Sequence, residues 1–391
     1  MARILTSPWA IACTGLGALA LAMGIGRFAY TPLLPMMQSD QGMSLQTGSW
    51  IALANMLGYL VGGLTGKYLA HAPVRHLRLA STVLILTLVA MVLTTNPVLW
   101  GLWRLIAGVA SAWMMILVSI ITLPRLAGSP RLPGVVYAGV GSGIFFAGLL
   151  CALFVAWDWS SRSAWLTLGS ASVLIAWPLW RVFDRSWDAD SRRIPGTSVS
   201  RPARTASRSG DSRLWLLVVC YGLYGFGYIL PATYLPAQAR LVLGDTWTYS
   251  LAWPVLGFAA ATSTFVVGLV AARLGLLRSW LVAQGVLAVG VVIPLVWPTM
   301  TGILAASLCV GLTFVVITLV AMQEAQRCGA ERSGLWMARL TAAFGLGQIL
   351  GPGVVVVLEG QVQVGLALAA GVLLVSLVAL GLQLIRDSRQ A

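Results

Sequence analysis

Gly24-Ile25-Gly26-Arg27-Phe28-Ala29-Tyr30-Thr31-Pro32-Leu33-Leu34-Pro35 returns, loosely, as Gly225-Phe226-Gly227-Tyr228-Ile229-Leu230-Pro231-Ala232-Thr233-Tyr234-Leu235-Pro236. The offset is 201 residues in a chain of 391. Both Gly-x-Gly pairs and the closing Leu-Pro superimpose, which points to two tandem copies of one membrane unit, a construction suited to alternating access around a central site. Only the first copy carries an arginine; Tyr228 stands in its register in the second.

Composition agrees with a life in the bilayer. Hydrophobic residues make up 59% and charged residues 9%, far from the proportions of a soluble domain. Apolar stretches of about 20 residues are long enough to cross the hydrocarbon core as helices. They read as spans at 9–37, 47–70, 79–95, 98–123, 134–156, 164–183, 214–236, 248–272, 279–297, 301–323, 334–358 and 362–385. Many of the seventeen tryptophans, Trp100, Trp103, Trp157, Trp159, Trp247 and Trp297 among them, fall near span ends, where amphipathic rings prefer the headgroup level.

Arginine placement orients the spans. With both termini cytoplasmic, twenty Lys and Arg residues fall on the inner side, eight of them from Arg181 to Arg213, against Arg162 and Arg240 outside. This positive-inside bias accounts for the formal charge of +14 without any nucleic-acid partner. The N-terminus imitates a secretory signal, with Arg3 and an apolar run, but that run continues through Arg27 to Met37 and has a repeat partner, so it reads as the first span. Cys13, Cys151, Cys220, Cys309 and Cys328 show no paired spacing and imply neither disulfides nor metal.

One polar linker, 184–213, is rich in serine, proline and arginine and joins an N-terminal half, 1–183, to a C-terminal half, 214–391. Tight loops elsewhere predict that sequential helices are antiparallel neighbours. Glycines recur every four residues at Gly58, Gly62 and Gly66, at Gly139 and Gly143, and at Gly347 and Gly351. Such faces bring backbones close, either within a half or along a moving seam between the halves. Pro32, Pro35, Pro231 and Pro236 are placed to break helices one and seven beside a cavity.

Charge within the membrane marks candidate sites. Arg27 lies about 15 Å and Arg104 about 9 Å inside the outer ends of helices one and four. No Asp or Glu sits comparably deep: Asp40, Asp158, Asp245 and Glu359 fall in outer loops or span ends, and Glu324 and Glu331 near the inner ends of helices ten and eleven. The buried charge is net positive and needs acceptors, which carbonyls, Asn55, Tyr30, water or a substrate carboxylate can supply. Trp113, Tyr224, Tyr228 and Gln348 extend this polar set. Any proton coupling would use Glu324, a loop acid such as Asp40, or the substrate itself.

The Gly24–Pro35 block resembles the signature of the YbfB/YjiJ branch of the major facilitator superfamily, and the resemblance covers the whole chain. Arg104-Leu105-Ile106-Ala107-Gly108 is similar to the superfamily's fourth-helix Arg-x-x-x-Gly motif, which implies a coupling or structural role for Arg104. The loop after helix two departs from the pattern: Gly66 stands where that motif has aspartate, and Ala272 stands there in the second half. The fifth-helix Gly-Pro of antiporters is missing, although Gly351-Pro352 occurs in helix eleven, so the resemblance does not imply antiport.

The expectation is an all-α membrane protein of twelve transmembrane helices in two pseudo-symmetric six-helix halves. It is expected to be a secondary carrier of a small organic solute, an organic anion or an amphipathic compound. Efflux is the direction that fold-level analogy with efflux permeases implies, and the sequence itself gives none. It would work as a monomer in a bacterial inner membrane, without cofactor, metal or nucleic acid. A receptor or scaffold on the same fold, and a carrier of neutral solutes such as sugars, remain as alternatives. An intramembrane enzyme would need clustered nucleophiles or ligands in its spans, whereas His71 and His76 share one inner loop.

Overall fold

Local chemistry sets most of the helix boundaries in the computed structural model, which describes residues 7–183, 208–243, 251–328, 330–358 and 361–390. Ser7, Ser44, Asn96, Ser160 and Thr299 each accept a backbone N–H of the first helical turn, closing donors that the helix itself leaves open. Proline at the first or second position starts four helices, at Pro8, Pro73, Pro97 and Pro133. Among the described residues the chain forms α1 (Pro8–Gln41), α2 (Leu45–Thr65), α3 (Pro73–Ala90), α4 (Pro97–Arg125), α5 (Leu132–Ala156) and α6 (Ser161–Val182). It continues with α7 (Arg208–Leu243), α8 (Ala252–Leu274), α9 (Leu276–Val296), α10 (Met300–Gln326), α11 (Ala330–Val357) and α12 (Val362–Gln390).

These are the twelve expected spans, with small shifts. The largest are in α7, which extends past its expected span at both ends, and in α3, which begins at Pro73 because the proline starts the helix before its apolar run does. The narrow gap before α10 is real: α9 ends at Val296 and Thr299 caps the next helix. Nine of these helices are long and apolar enough by themselves to cross a membrane. Their outer faces are apolar, as at Val289 (57% exposed) and Val375 (64%), a mantle suited to lipid. The linker up to residue 207, Asp245 and Glu359 lie outside the described residues.

Packing repeats from the first six helices to the last six. The pairs α1·α5, α2·α4, α3·α4, α1·α6 and α3·α6 recur as α7·α11, α8·α10, α9·α10, α7·α12 and α9·α12. The expectation that sequential helices are the main neighbours holds only for α3·α4 and α9·α10. Glycine decides the others. A Cβ on Gly58 would overlap the Leu105 carbonyl, and one on Gly108 would overlap the Asn55 carbonyl, so α2 and α4 meet backbone to backbone.

Two main contacts join the first six helices to the last six, α5 with α8 and α2 with α11, with lesser ones from α4 and α5 to α10 and from α4 to α11. Of the two readings of the four-residue glycine faces, packing within a half is the one found. Gly58, Gly62 and Gly66 face α4, Gly139 and Gly143 face α1, and Gly347 and Gly351 face α7, all inside one set of six. The seam uses the neighbouring positions. Gly63 faces Ala342, Gly345 faces Leu60, and Gly134, Gly141 and Gly148 face Thr264, Ala261 and Pro254. Spacing reveals that a smooth face exists, but helix rotation decides what it meets.

Candidate functional site

The centre of the molecule is organised by an irregular stretch of α1. Ala20–Phe28 is π-helical, between regular turns at Pro8–Leu19 and Tyr30–Gln41. Pro32 has no N–H to give the carbonyls four and five residues before it, those of Phe28 and Arg27. Part of the deficit is met from α4. Arg104 Nη2 donates to the Arg27 carbonyl and Nη1 to the Gly26 carbonyl, each at 2.7 Å. Asn55 of α2 donates to the Arg104 carbonyl at 2.8 Å, and the Tyr30 hydroxyl donates to the Gly48 carbonyl at 3.0 Å. Arg104, Asn55 and Tyr30 thus lock α1, α2 and α4 into one unit. The expected break in α7 does not occur: that helix runs through Pro231 and Pro236 to Leu243.

Arg27 leaves this locked segment and points across the centre. Its side chain is buried, and its guanidinium lies 3.6 Å from the ring centroid of Tyr59, with Phe28 at 5.4 Å and Phe344 at 5.9 Å. Nη2 donates to Gln348 Oε1 on α11, so the first six helices reach the last six through one polar bond. Nη1 has no hydrogen-bond partner, nor has Nε2 of Gln348. A buried polar group without a partner costs on the order of 1–3 kcal/mol, more when charged.

Facing it, α7 presents Tyr221, Tyr224 and Tyr228 on one face. Their rings stack with Phe344 and Phe314, Tyr228 lying 4.9 Å from Phe314 at 14°. The Tyr221 hydroxyl donates to Thr318 and that of Tyr224 to the Phe314 carbonyl, whereas the Tyr228 hydroxyl has no partner.

A small cavity touches Arg27, Tyr30, Asn55, Arg104, Thr233 and Trp253, toward the ends of α1 and α7 away from the chain termini. Its open space is about 40 Å³, room for a few waters, and the Trp253 indole N–H beside it is buried without a partner. A second, smaller space of about 10 Å³ lies toward the terminus-bearing end, lined by Tyr59, Tyr221 and Thr318. Phe28 borders both and meets Trp253 and Phe314 edge-on at 6.5 and 6.2 Å. An organic ligand needs roughly 300 Å³ or more, so the helices must separate before one can enter.

The expected site residues divide accordingly. Arg27, Tyr30, Asn55 and Arg104 line the cavity, and Gln348 and Tyr228 adjoin it through Arg27 and the stacked rings. Three do not reach either space. Trp113 donates to Thr65 at 2.8 Å and ties α4 to α2, because it sits more than two turns beyond Arg104. Tyr224 spends its hydroxyl on α10. Glu324 lies at the terminus-bearing end of α10, accepting from Arg213 at 2.9 Å and Arg327 at 3.1 Å, while Arg213 also meets Asp387. Asp40 caps α6 by accepting from Ser161.

Sequence reading missed Tyr59, Phe28, Trp253 and Phe344. Tyr59 had a signal, since it follows Asn55 by one helical turn. It also missed a third arginine within the spans, Arg339, which lies between two tryptophan rings of α7 and α11.

The family described as uncharacterised MFS-type transporter YbfB matches residues 19–381. No curated protein matches the chain. The match spans nearly the whole chain and agrees with the twelve-helix fold, so the chain belongs to this family of major facilitator transporters.

Proposed function

We propose that this family member moves a small organic anion, or an amphipathic molecule with an acceptor-rich end, by alternating access at Arg27. One observation carries the reading: the Arg27 guanidinium, which bridges the two sets of helices through Gln348, is buried, stacked on Tyr59, and keeps Nη1 unpartnered. Gln348 Nε2, the Trp253 indole N–H and the Tyr228 hydroxyl are further unpartnered groups nearby, and all can donate. A carboxylate takes such donors and regains Coulomb energy that burying the arginine lost. A sugar needs acceptors as well as donors, and a cation meets the repulsion of Arg27, which already occupies the Tyr59 ring.

Residues 1–183 and 214–391 act in this reading as two bodies joined by 184–213. Both termini and the linker lie in the cytoplasm, and the larger cavity faces outward. The chain works as a monomer in a bacterial inner membrane without cofactor or nucleic acid, and runs toward efflux. Arg27 and Gln348 hold the solute, with Tyr228 and Trp253 completing the shell. Arg104, Asn55 and Tyr30 position Arg27, and Glu324 ties α7, α10 and α12 where the terminus-bearing side must open.

The test is a melting screen of purified protein against carboxylates, organic cations and sugars, followed by flux of each hit in proteoliposomes. Stabilisation by a carboxylate, which then crosses the liposome wall, is expected. Selective stabilisation by cations or sugars would overturn the anion reading. A stabilising ligand that never crosses would favour the receptor.

A further inference from the structure

Arg339 stands on the wrong face of its helix for a structural arginine. Leu346, Leu350 and Val357 follow it by 7, 11 and 18 residues, which returns the helix to the same direction each time. They are 49%, 52% and 82% exposed and form the lipid-facing stripe of α11. Arg339 lies on this line seven residues after Arg332, about 13 Å from the start of α11 at Ala330. It makes no ion pair or hydrogen bond among the described residues. Its guanidinium lies 4.5 Å from the ring centroid of Trp336 and 4.7 Å from that of Trp215, and those rings meet edge-on at 5.5 Å. Trp336 is fully buried and its indole N–H has no partner; Trp215 of α7 is 49% exposed, as is its lipid-facing neighbour Val219 at 56%.

Two indole faces hold a guanidinium without using its N–H donors, so the planar fork is positioned and unspent. At this depth an arginine reaches toward the headgroups, where an oxyanion takes the fork from the side. Arg332 lies 5.9 Å from the Trp336 ring, and Arg213 is committed to Glu324 and Asp387.

We infer that Arg339, Trp336 and Trp215 form a binding site for the phosphate of an anionic phospholipid in the leaflet at the terminus-bearing end, in the groove between α7 and α11. The lipid is favoured over a free anion because the stripe beyond Arg339 offers its acyl chain Leu346 and Leu350. Such a lipid bridges α11, a seam helix, to α7, which carries the residue in register with Arg27.

Full-length protein is exchanged into mixtures of phosphatidylglycerol and phosphatidylcholine, and the lipid retained is counted by native mass spectrometry beside melting measurements. Arg339→Gln should retain phosphatidylglycerol about fivefold less than the wild type, the share expected of one interfacial arginine, with phosphatidylcholine unchanged. Trp215→Leu keeps the apolar surface but removes one face of the clamp, and should lower retention in the same direction. Arg339→Lys keeps the charge without the planar fork and should fall between. Equal phosphatidylglycerol retention by the wild type, Arg339→Gln and Trp215→Leu would overturn the site. So would equal stabilisation of the wild type by phosphatidylcholine, or by inorganic phosphate in place of lipid.

Discussion

The corner formed by α1, α2 and α4 and the corner formed by α7, α8 and α10 are built on one plan and finished differently. Gly108 of α4 presses on the Asn55 carbonyl, and Gly311 of α10 presses on that of Leu256, 201 residues further on. Four residues before each glycine stand Arg104 and Ser307. The first corner therefore has Arg27, Asn55 and Arg104 where the second has Tyr228, Leu256 and Ser307. Arg104 holds open a π-helical segment; Ser307 bonds back to its own helix at Ile303, and α7 stays regular. Duplication supplies the scaffold, and loss of symmetry at three positions makes the charged site. One corner supplies a fixed cation, and the other supplies the aromatic wall it faces.

The largest expected difference is in stability. Arg104→Leu leaves two buried carbonyls without donors, at about 1–3 kcal/mol each, so it should lower the melting temperature steeply. Ser307→Ala removes one bond within a helix and should cost under about 1 kcal/mol. Equal losses in melting would break the asymmetry between the corners.

The seam gives a sharper comparison between adjacent residues. Gly62→Ala puts a methyl 2.6 Å from the Val109 carbonyl within the first six helices, while Gly63→Ala puts one 2.8 Å from the Ala342 nitrogen across the seam. Gly62→Ala should therefore lower melting more, by about 1–3 kcal/mol, the scale of overpacking. Gly63→Ala should instead change which end is open, read by cysteine labelling from the two sides in liposomes. Matching profiles for the two variants would show that the seam has no separate role.

Smaller effects are expected further out. Glu324→Gln should cost about 1 kcal/mol, since Arg213 keeps Asp387 and Arg327 is mostly exposed, and it should leave carboxylate binding intact. Loss of binding in that variant would bring Glu324 into the site. Tyr228→Phe deletes one unpartnered hydroxyl and keeps the ring stack, so binding should fall by less than about tenfold with melting unchanged.

How much of this was legible depends on range. Hydropathy and proline placed twelve helices within a few residues, because each span is decided by its own composition. Arg27 was legible as a buried charge for the same reason. Its partners were not: Gln348 lies 321 residues away, and its approach depends on the rotation of α11. The role of Arg104 was half legible. The motif marked it, but its acceptors follow from the missing N–H of Pro32 and the resulting π-helical turns. The glycine spacing marked close-packed faces without naming their neighbours, since a four-residue repeat carries no direction; packing within one set of six is the alternative found. Arg339 escaped because its partners are two rings on different helices, which no local pattern displays.

The central claim is that Arg27 is a ligand-binding cation and that Arg104 is the clamp that places it. Carboxylate binding and melting of Arg27→Lys and Arg27→Gln, measured on the same samples, test it most directly. Lysine keeps the charge but loses the stack on Tyr59 and the fork to Gln348, so binding should weaken about tenfold or more, and further with glutamine, while melting stays near the wild type. Melting losses in proportion to the binding losses would contradict the account and make Arg27 a structural clamp like Arg104.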